Sequence, residues 1–389
     1  MKKHKNLIFP LFIFLLPFYL QGQIPSGYYD DASGKTGSEL KTALYNIIKD
    51  HTVITYNSIW THFQNTDKKP NGKVWDMYSD IPGNPPYEYE FILNQCTEGS
   101  VPFENSCYNR EHTFPRSWYG SQEDVPMYTD LFHIYPADAW VNELRSNYPY
   151  GVVNSSVTTT LNGSKLGNNS TAGYSGLVFE PIDEYKGDFA RTYFYMATRY
   201  EDMVAGWHSN SPQCAAVLQS NTFPVFKDWY LDLLLQWHTD DPVSQKEIGR
   251  NNAVYAIQGN RNPYIDHPEY VNCVWADCLE DEPAYHVTDF SAHTITLNWE
   301  DAVGTLLPDG YLIRMSDTGF ESISDPVDGT PVNYDFWNRN IAYGVQHAVF
   351  GGLTPNTTYY FKIYSYRGSG SSIDYKTDGS VQQLSIMAK

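Results

Sequence analysis

Apolar residues recur along the chain at two different periods, and the change of period divides it. From Ser38 to Lys49, Leu40, Leu44, Ile47 and Ile48 fall at helical spacing. A second helix is expected near Tyr56–Phe63, ahead of the turn Lys69-Pro70-Asn71-Gly72, and Val74–Tyr78 then reads as a strand. Residues 80–108 read as loop, with prolines at 82, 85, 86 and 102. Beyond a polar turn around Gly120–Pro126, Tyr128–Tyr135 reads as a strand that Pro136 ends. Asp138 is a good N-cap for a short helix from Ala139 to Ser146, with Trp140, Val141 and Leu144 inward. Asn142 and Arg145, three residues apart, share a face of that helix.

Residues 152–176 are rich in Asn, Ser, Thr and Gly and read as a hairpin or mobile loop. Three more helices are expected. One runs through Tyr200, one carries Phe226, Trp229, Tyr230, Leu233, Leu234 and Trp237 on a single face, and one opens on the capping box Ser244/Glu247. Past Cys278 the period becomes two, in Ile295/Leu297/Trp299, Tyr311/Ile313/Met315 and Tyr359/Phe361/Ile363. These runs predict a small antiparallel sandwich over residues 284–386, set off by the acidic linker Glu280-Asp281-Glu282-Pro283.

Composition adds a compartment and a tension. Lys2, Lys3 and Lys5 followed by an apolar run from Leu7 to Leu20 read as a secretory signal over residues 1–22. That run falls short of the roughly 20 apolar residues a membrane span needs, and two prolines interrupt it. A secreted, soluble protein, extracellular or periplasmic, with no membrane partner is therefore expected. Five cysteines suit an oxidising compartment, with Cys96/Cys107 and Cys273/Cys278 as plausible pairs and Cys214 left over. The net charge is −19, and loss of the three signal lysines takes it to −22. Such a chain does not hold nucleic acid on a broad basic face, so phosphate chemistry would depend on a metal and a few placed arginines.

The candidate chemistry lies in Asn109-Arg110-Glu111-His112-Thr113-Phe114-Pro115-Arg116-Ser117-Trp118. Glu111 offers a hard oxygen ligand, His112 a ring that takes a proton near neutral pH, and Arg110 and Arg116 fixed positive charge. Glu and His on one strand, a connecting loop, His133 on a second strand and Asn142 on the following helix give the layout of a ββα-metal finger. Together with Val141-Asn142-Glu143-Leu144-Arg145-Ser146-Asn147-Tyr148-Pro149, and with the segments 186–191 and 250–268, this run resembles the bacterial endonuclease I family over about residues 25–276. Leu353-Thr354-Pro355-Asn356-Thr357-Thr358-Tyr359 is similar to the tyrosine-corner segment of a fibronectin type III domain.

The resemblance implies an α+β chain: a mainly helical nuclease domain over residues 23–279 built around a ββα-metal finger, then an all-β fibronectin type III-like sandwich. It implies a secreted, metal-dependent endonuclease with little sequence preference, acting on DNA and also RNA and leaving 5′-phosphate ends. His112 aligns with the general base, and Glu111 and Asn142 with the ligands of a Mg2+ ion, for which Mn2+ or Ca2+ could substitute. Arg116 and Arg145 are candidates to grip the scissile phosphate, the competing role being a buried ion pair with Asp130 or Asp138. His133 is expected to orient the site by hydrogen bonding. Arg110 is assigned to the scaffold because it points to the strand face opposite Glu111, and Arg191, Arg250 and Arg261 are structural by default. No P-loop, GxSxG, HExxH or Rossmann pattern occurs. The alternative is a non-catalytic extracellular adhesion or ligand-binding protein whose sandwich does the binding.

Overall fold

The computed structural model describes residues 24–96, 101–276, 285–290, 293–303, 306–378 and 381–388. The expected signal segment, Cys278 and the linker at 280–283 lie outside them. No described helix is long and apolar enough to cross a membrane.

Helix α1 (Gly37–Ile48) buries Leu40, Leu44 and Ile48, and α2 (Ile59–Thr66) buries Ile59 and Phe63, each on one face. Strand β1 (Tyr108–His112) pairs antiparallel with β2 (Ile134–Asp138), and α3 (Ala139–Arg145) follows at once. The Asp138 carboxylate makes the sharp strand-to-helix step possible by accepting from Val141 N at 2.9 Å. Strands β3 (Val153–Thr159), β4 (Lys165–Asn169) and β5 (Leu177–Glu180) form an antiparallel sheet, so the expected hairpin acquires a third strand.

Helix α4 (Lys186–Arg199) is the central post, buried from Gly187 to Arg199. Around it lie α5 (Glu201–Val204), α6 (Pro212–Val217), α7 (Asp228–Asp240), α8 (Gln245–Gln258), α9 (Pro263–Asp266) and α10 (Tyr270–Trp275). Ser244 and Glu247 form the expected capping box at the start of α8. A post buried on all sides still carries polar residues, so each needs a partner inside. Arg191 makes a two-pronged bond to Glu247 at 2.6 and 2.9 Å, and Lys246 pairs with Asp188. Arg250 binds Asp67 at 2.8 Å and the carbonyls of Leu131 and Ile134, which anchors the entry to β2. Arg261 binds Asp266 and Asn252.

Two expected strands differ. Within Val74–Tyr78 only Val74 makes a bridge, to Lys68, and a turn follows from Asp76, whose carboxylate takes Tyr78 N at 2.8 Å and whose carbonyl takes Asp80 N at 2.9 Å. Tyr128–Tyr135 begins as a 3-10 turn over Pro126–Thr129, and only Ile134 onward is extended. Pro136 does not end β2; it lies inside it opposite Arg110. Asp138 shares its parity and points its N–H away from β1, at Asp76, so the proline stands where the ladder needs no donor.

The second core is all β. Strands β6 (Tyr285–Phe290), β7 (Thr294–Trp299) and β10 (His347–Gly351) form one sheet. Strands β8 (Gly310–Ser316), β9 (Asn338–Ala342), β11 (Thr358–Arg367), β12 (Asp374–Tyr375) and β13 (Gln382–Met387) form the other. Ile295, Leu297, Trp299, Ile313, Phe361 and Ile363 meet between them, and Thr354 N donates to the Tyr359 hydroxyl at 2.9 Å as a tyrosine corner does. This core and the helical one share no residue.

Disulfide pairing joins Cys96 to Cys107; Cys214 is free and buried, and Cys273 is disulfide-bonded. One titration is exposed to test. Burial, and next the Asp188 carboxylate, push Asp241 up to about 7, against its bond from Gly187 N. A carboxyl raised on folding makes stability fall as pH rises from about 4 to about 7, because the unfolded chain sheds the proton first. Asp241→Asn keeps an acceptor for Gly187 N, so it should raise Tm relative to wild type at pH 8 and leave it unchanged near pH 4. Equal Tm differences at both pH values in calorimetry would contradict this.

Candidate active site

Strand alternation sorts the residues of β1 onto two faces: Tyr108, Arg110 and His112 on one, Asn109 and Glu111 on the other. Helix α3 covers the second face. Asn142 Nδ2 donates to Asn109 Oδ1 at 2.8 Å, and Arg145 Nη1 donates to Glu111 Oε1 at 3.1 Å. The shared helical face of Asn142 and Arg145 thus meets the matching pair on the strand, and two blocks some thirty residues apart become one site.

Glu111 is 4% exposed, and Tyr78 OH also donates to its Oε1 at 3.0 Å. Both of these side-chain bonds fall on Oε1 and neither on Oε2. Burial pushes the Glu111 carboxyl up, and the Arg145 cation is the main force drawing it back. Tyr78 is fixed in turn by a 2.6 Å bond with Tyr150 OH.

Arg145 is fully buried. Besides Glu111, Nη1 bonds His112 O at 3.3 Å, and Nη2 bonds Thr113 O at 2.5 Å and Tyr193 OH at 3.1 Å. The Tyr150 ring lies 4.8 Å from the guanidinium. The structure corrects the expectation that Arg145 meets the phosphate: it has no side open to a ligand. Its ion-pair partner is Glu111, not Asp130 or Asp138.

His112 occupies the other face, 5% exposed. Its Nε2 lies 3.0 Å from Tyr128 O, which can only accept, so Nε2 carries the proton and Nδ1 the lone pair. Burial, then the charges of His133, Arg116 and Arg110, hold its pKa well below the ordinary histidine value, so the ring is neutral at neutral pH. His133 precedes β2 instead of lying in it. Its Nε2 bonds Met127 O at 2.6 Å, its carbonyl accepts from Thr113 N and Oγ1 at 3.0 Å, and its ring meets that of His112 edge-on at 5.3 Å. It thus touches His112 through ring packing, and its hydrogen bonds go to the backbone around it.

Arg116 is the outermost of these groups: Nη2 donates to Glu123 at 2.7 Å and the guanidinium lies 4.9 Å from the Tyr128 ring. Arg110 points away from Glu111 as expected, but that puts it on the face of His112. Its guanidinium lies between Tyr56 at 3.7 Å and Trp60 at 4.6 Å. Sequence reasoning missed Tyr56, Tyr78, Tyr128 and Tyr193 as members of the site. Only Asn109 had a local signal, being two residues before Glu111 on one strand face.

The donors facing α3 are a carboxylate and two side-chain amides, oxygen donors of the kind hard divalent cations take. Among the described residues no group of three His, Cys, Asp or Glu is placed to hold a metal. The set therefore fits a cation such as Mg2+ that keeps several waters, and does not fit a closed thiolate or imidazole cage.

The family model described as Endonuclease I matches residues 36–269. An extracellular ribonuclease of Bacillus amyloliquefaciens is 35% identical over 251 residues, 64% of this chain and 78% of that protein. One of Bacillus subtilis (strain 168) is 31% identical over 250 residues, with the same coverage. An Endonuclease-1 of Buchnera aphidicola subsp. Baizongia pistaciae is 28% identical over 137 residues, 35% of this chain and 46% of that protein. Among solved structures, the chicken CNTN1 FN1–FN3 domains align at 17% identity and TM-score 0.21 over 28% of this chain and 32% of that one. The fn3 domain of human contactin 1 aligns at 16% identity and TM-score 0.20 over 27% and 74%.

Removing the guanidinium tests the buried pair. Arg145→Met should leave Glu111 buried without its cation and cost about 3 kcal/mol of stability, read by urea unfolding. A loss under about 1 kcal/mol would mean that the pair does not hold the finger together.

Proposed function

This chain belongs to the endonuclease I family, and on that premise we propose that it is a secreted, metal-dependent endonuclease cutting DNA and RNA with little sequence preference. The observation that carries the reading is His112: a neutral imidazole whose Nε2–H is committed to Tyr128 O, leaving Nδ1 as a base. Water loses its proton to Nδ1 as its oxygen bonds to phosphorus. The bond from phosphorus to the 3′ oxygen breaks, that oxygen takes a proton from solvent water, and a 3′-hydroxyl and a 5′-phosphate result. Glu111 and Asn142, from opposite sides of the β1–α3 contact, would hold the divalent cation. When bound, it supplies positive charge for the phosphate and for the departing 3′ oxygen. Arg145 acts through Glu111, keeping the carboxylate ionised and in place. Arg116, at the surface, is the cation free to exchange Glu123 for a phosphate of the bound strand.

The Bacillus relatives bear the name extracellular ribonuclease and the Buchnera one Endonuclease-1, which supports testing both nucleic acids. Purified protein with Mg2+ should nick supercoiled plasmid and degrade RNA. EDTA should abolish both and excess Mg2+ restore them. His112→Ala, folded by circular dichroism, should lose at least about a hundredfold in kcat; unchanged cleavage by this variant would remove His112 as the base. Absence of cleavage under any divalent cation would favour the adhesion or binding alternative.

The sandwich is read as a spacer or partner module, because its core is separate from the helical one. Deleting residues 284–389 should leave kcat within about twofold, since no apolar core is cut. A large loss of turnover in the deleted protein would contradict that reading.

A further inference from the structure

Beside His112 the side chains form a column that the proposed proton transfer does not use. A ring has two faces, and Tyr56 has the Arg110 guanidinium at 3.7 Å and the Tyr128 ring at 4.6 Å, inclined by 22°. Face-on partners this close need opposite faces of Tyr56. The column continues from Tyr128 to Arg116 at 4.9 Å and, beyond Arg110, to Trp60 at 4.6 Å. The His112 ring lies nearly parallel alongside, tilted 20° from Tyr56 and 16° from Tyr128. Two cations are thus held at opposite ends of a pair of rings, with the base between them.

Neither cation is used up. Among the described residues Arg110 makes one hydrogen bond, Nη1 to Tyr56 O at 2.9 Å, which leaves most of its five donors. Arg116 is paired with Glu123 across a surface where the two side chains are 36% and 64% exposed, so the pair is screened and readily exchanged. By contrast Arg145, Arg191, Arg250 and Arg261 are buried in ion pairs. In a chain of net charge −19, two unspent guanidiniums flanking the base are what an anionic polymer would find.

We propose that Arg110 and Arg116, spaced by the stacked Tyr56 and Tyr128, bind the two phosphates that flank the scissile one, so that the site takes a strand with three consecutive phosphates. This rests on the nuclease reading and names its substrate subsites. Tyr56 and Tyr128 are positioning residues: their outer faces are occupied by the cations, so they space the contacts and do not stack on bases. Arginine is needed because a planar fork can lie on a ring and still donate from its edge, which a lysine ammonium cannot do in the same way.

Dithymidine compounds separate the contacts, because each has a single cleavable bond: the unphosphorylated dinucleotide, its 5′-phosphate, its 3′-phosphate and the doubly phosphorylated form. For the wild-type full chain with Mg2+, each terminal phosphate should raise kcat/KM about tenfold, mostly through KM. Arg110→Met should erase one increment and Arg116→Met the other. Tyr56→Leu should erase the increment carried by Arg110, and Tyr56→Phe should retain it. Equal kcat/KM for all four compounds in wild type, or both increments surviving in both arginine variants, would overturn the column. Calorimetric binding of the same four compounds reads the column even if no bond is cut. Failure of the nuclease reading and failure of these subsites are therefore separate results.

Discussion

The guanidinium of Arg145 joins three parts of the helical domain at one buried point. From the last residue of α3 it reaches Glu111 on β1, the carbonyls of His112 and Thr113 where β1 ends, and Tyr193 on the central helix α4. Each contact is made without exposure to water, where a charge is tolerated only if its donors are met. Glu111 must then stay ionised to answer the cation, although burial alone drives its carboxyl the other way. The metal-ligand candidate and the fold are held by the same ion pair, so the charge at the site is built into the packing of the finger.

The same constraint explains how an acidic chain can act on a polyanion. Four of its buried arginines are matched one by one, Arg145 to Glu111, Arg191 to Glu247, Arg250 to Asp67 and Arg261 to Asp266. Those charges organise the interior and contribute nothing to an approaching phosphate. What faces outward near His112 is Arg110 and Arg116, kept in place by tyrosine rings. Attraction confined to so few groups makes long-range capture of nucleic acid weak and leaves recognition to contacts at the cleavage site.

Much of the fold was legible because it rests on local patterns. The helical spacing in α1, the Ser244/Glu247 capping box, the Asp138 cap and the period-two runs at Ile295, Tyr311 and Tyr359 all appear where the residues place them. The two misread strands failed for one reason, which is that a side chain or a proline outbid the apolar alternation. Asp76 bent its segment into a turn, and Pro126 opened a 3-10 turn ahead of His133. Pro136 looks like a stop in the sequence because the sequence does not say which edge of a strand carries the ladder.

At the site, the sequence by itself determined the chemical inventory: an acid, an imidazole and two arginines in ten residues, and an asparagine with an arginine on one helical face. It also determined that Glu111 and Arg110 part to opposite faces, since alternation is a property of any strand. Only the tertiary structure decided which arginine is spent inside and which is free. That depends on what packs over each face, α3 over Glu111, and Tyr56 and Tyr128 beside His112. Tyr56 and Tyr193 come from a turn and a helix far from β1 in the chain, and Tyr128 from the turn between β1 and β2, so their place at the site follows from folding and not from local spacing.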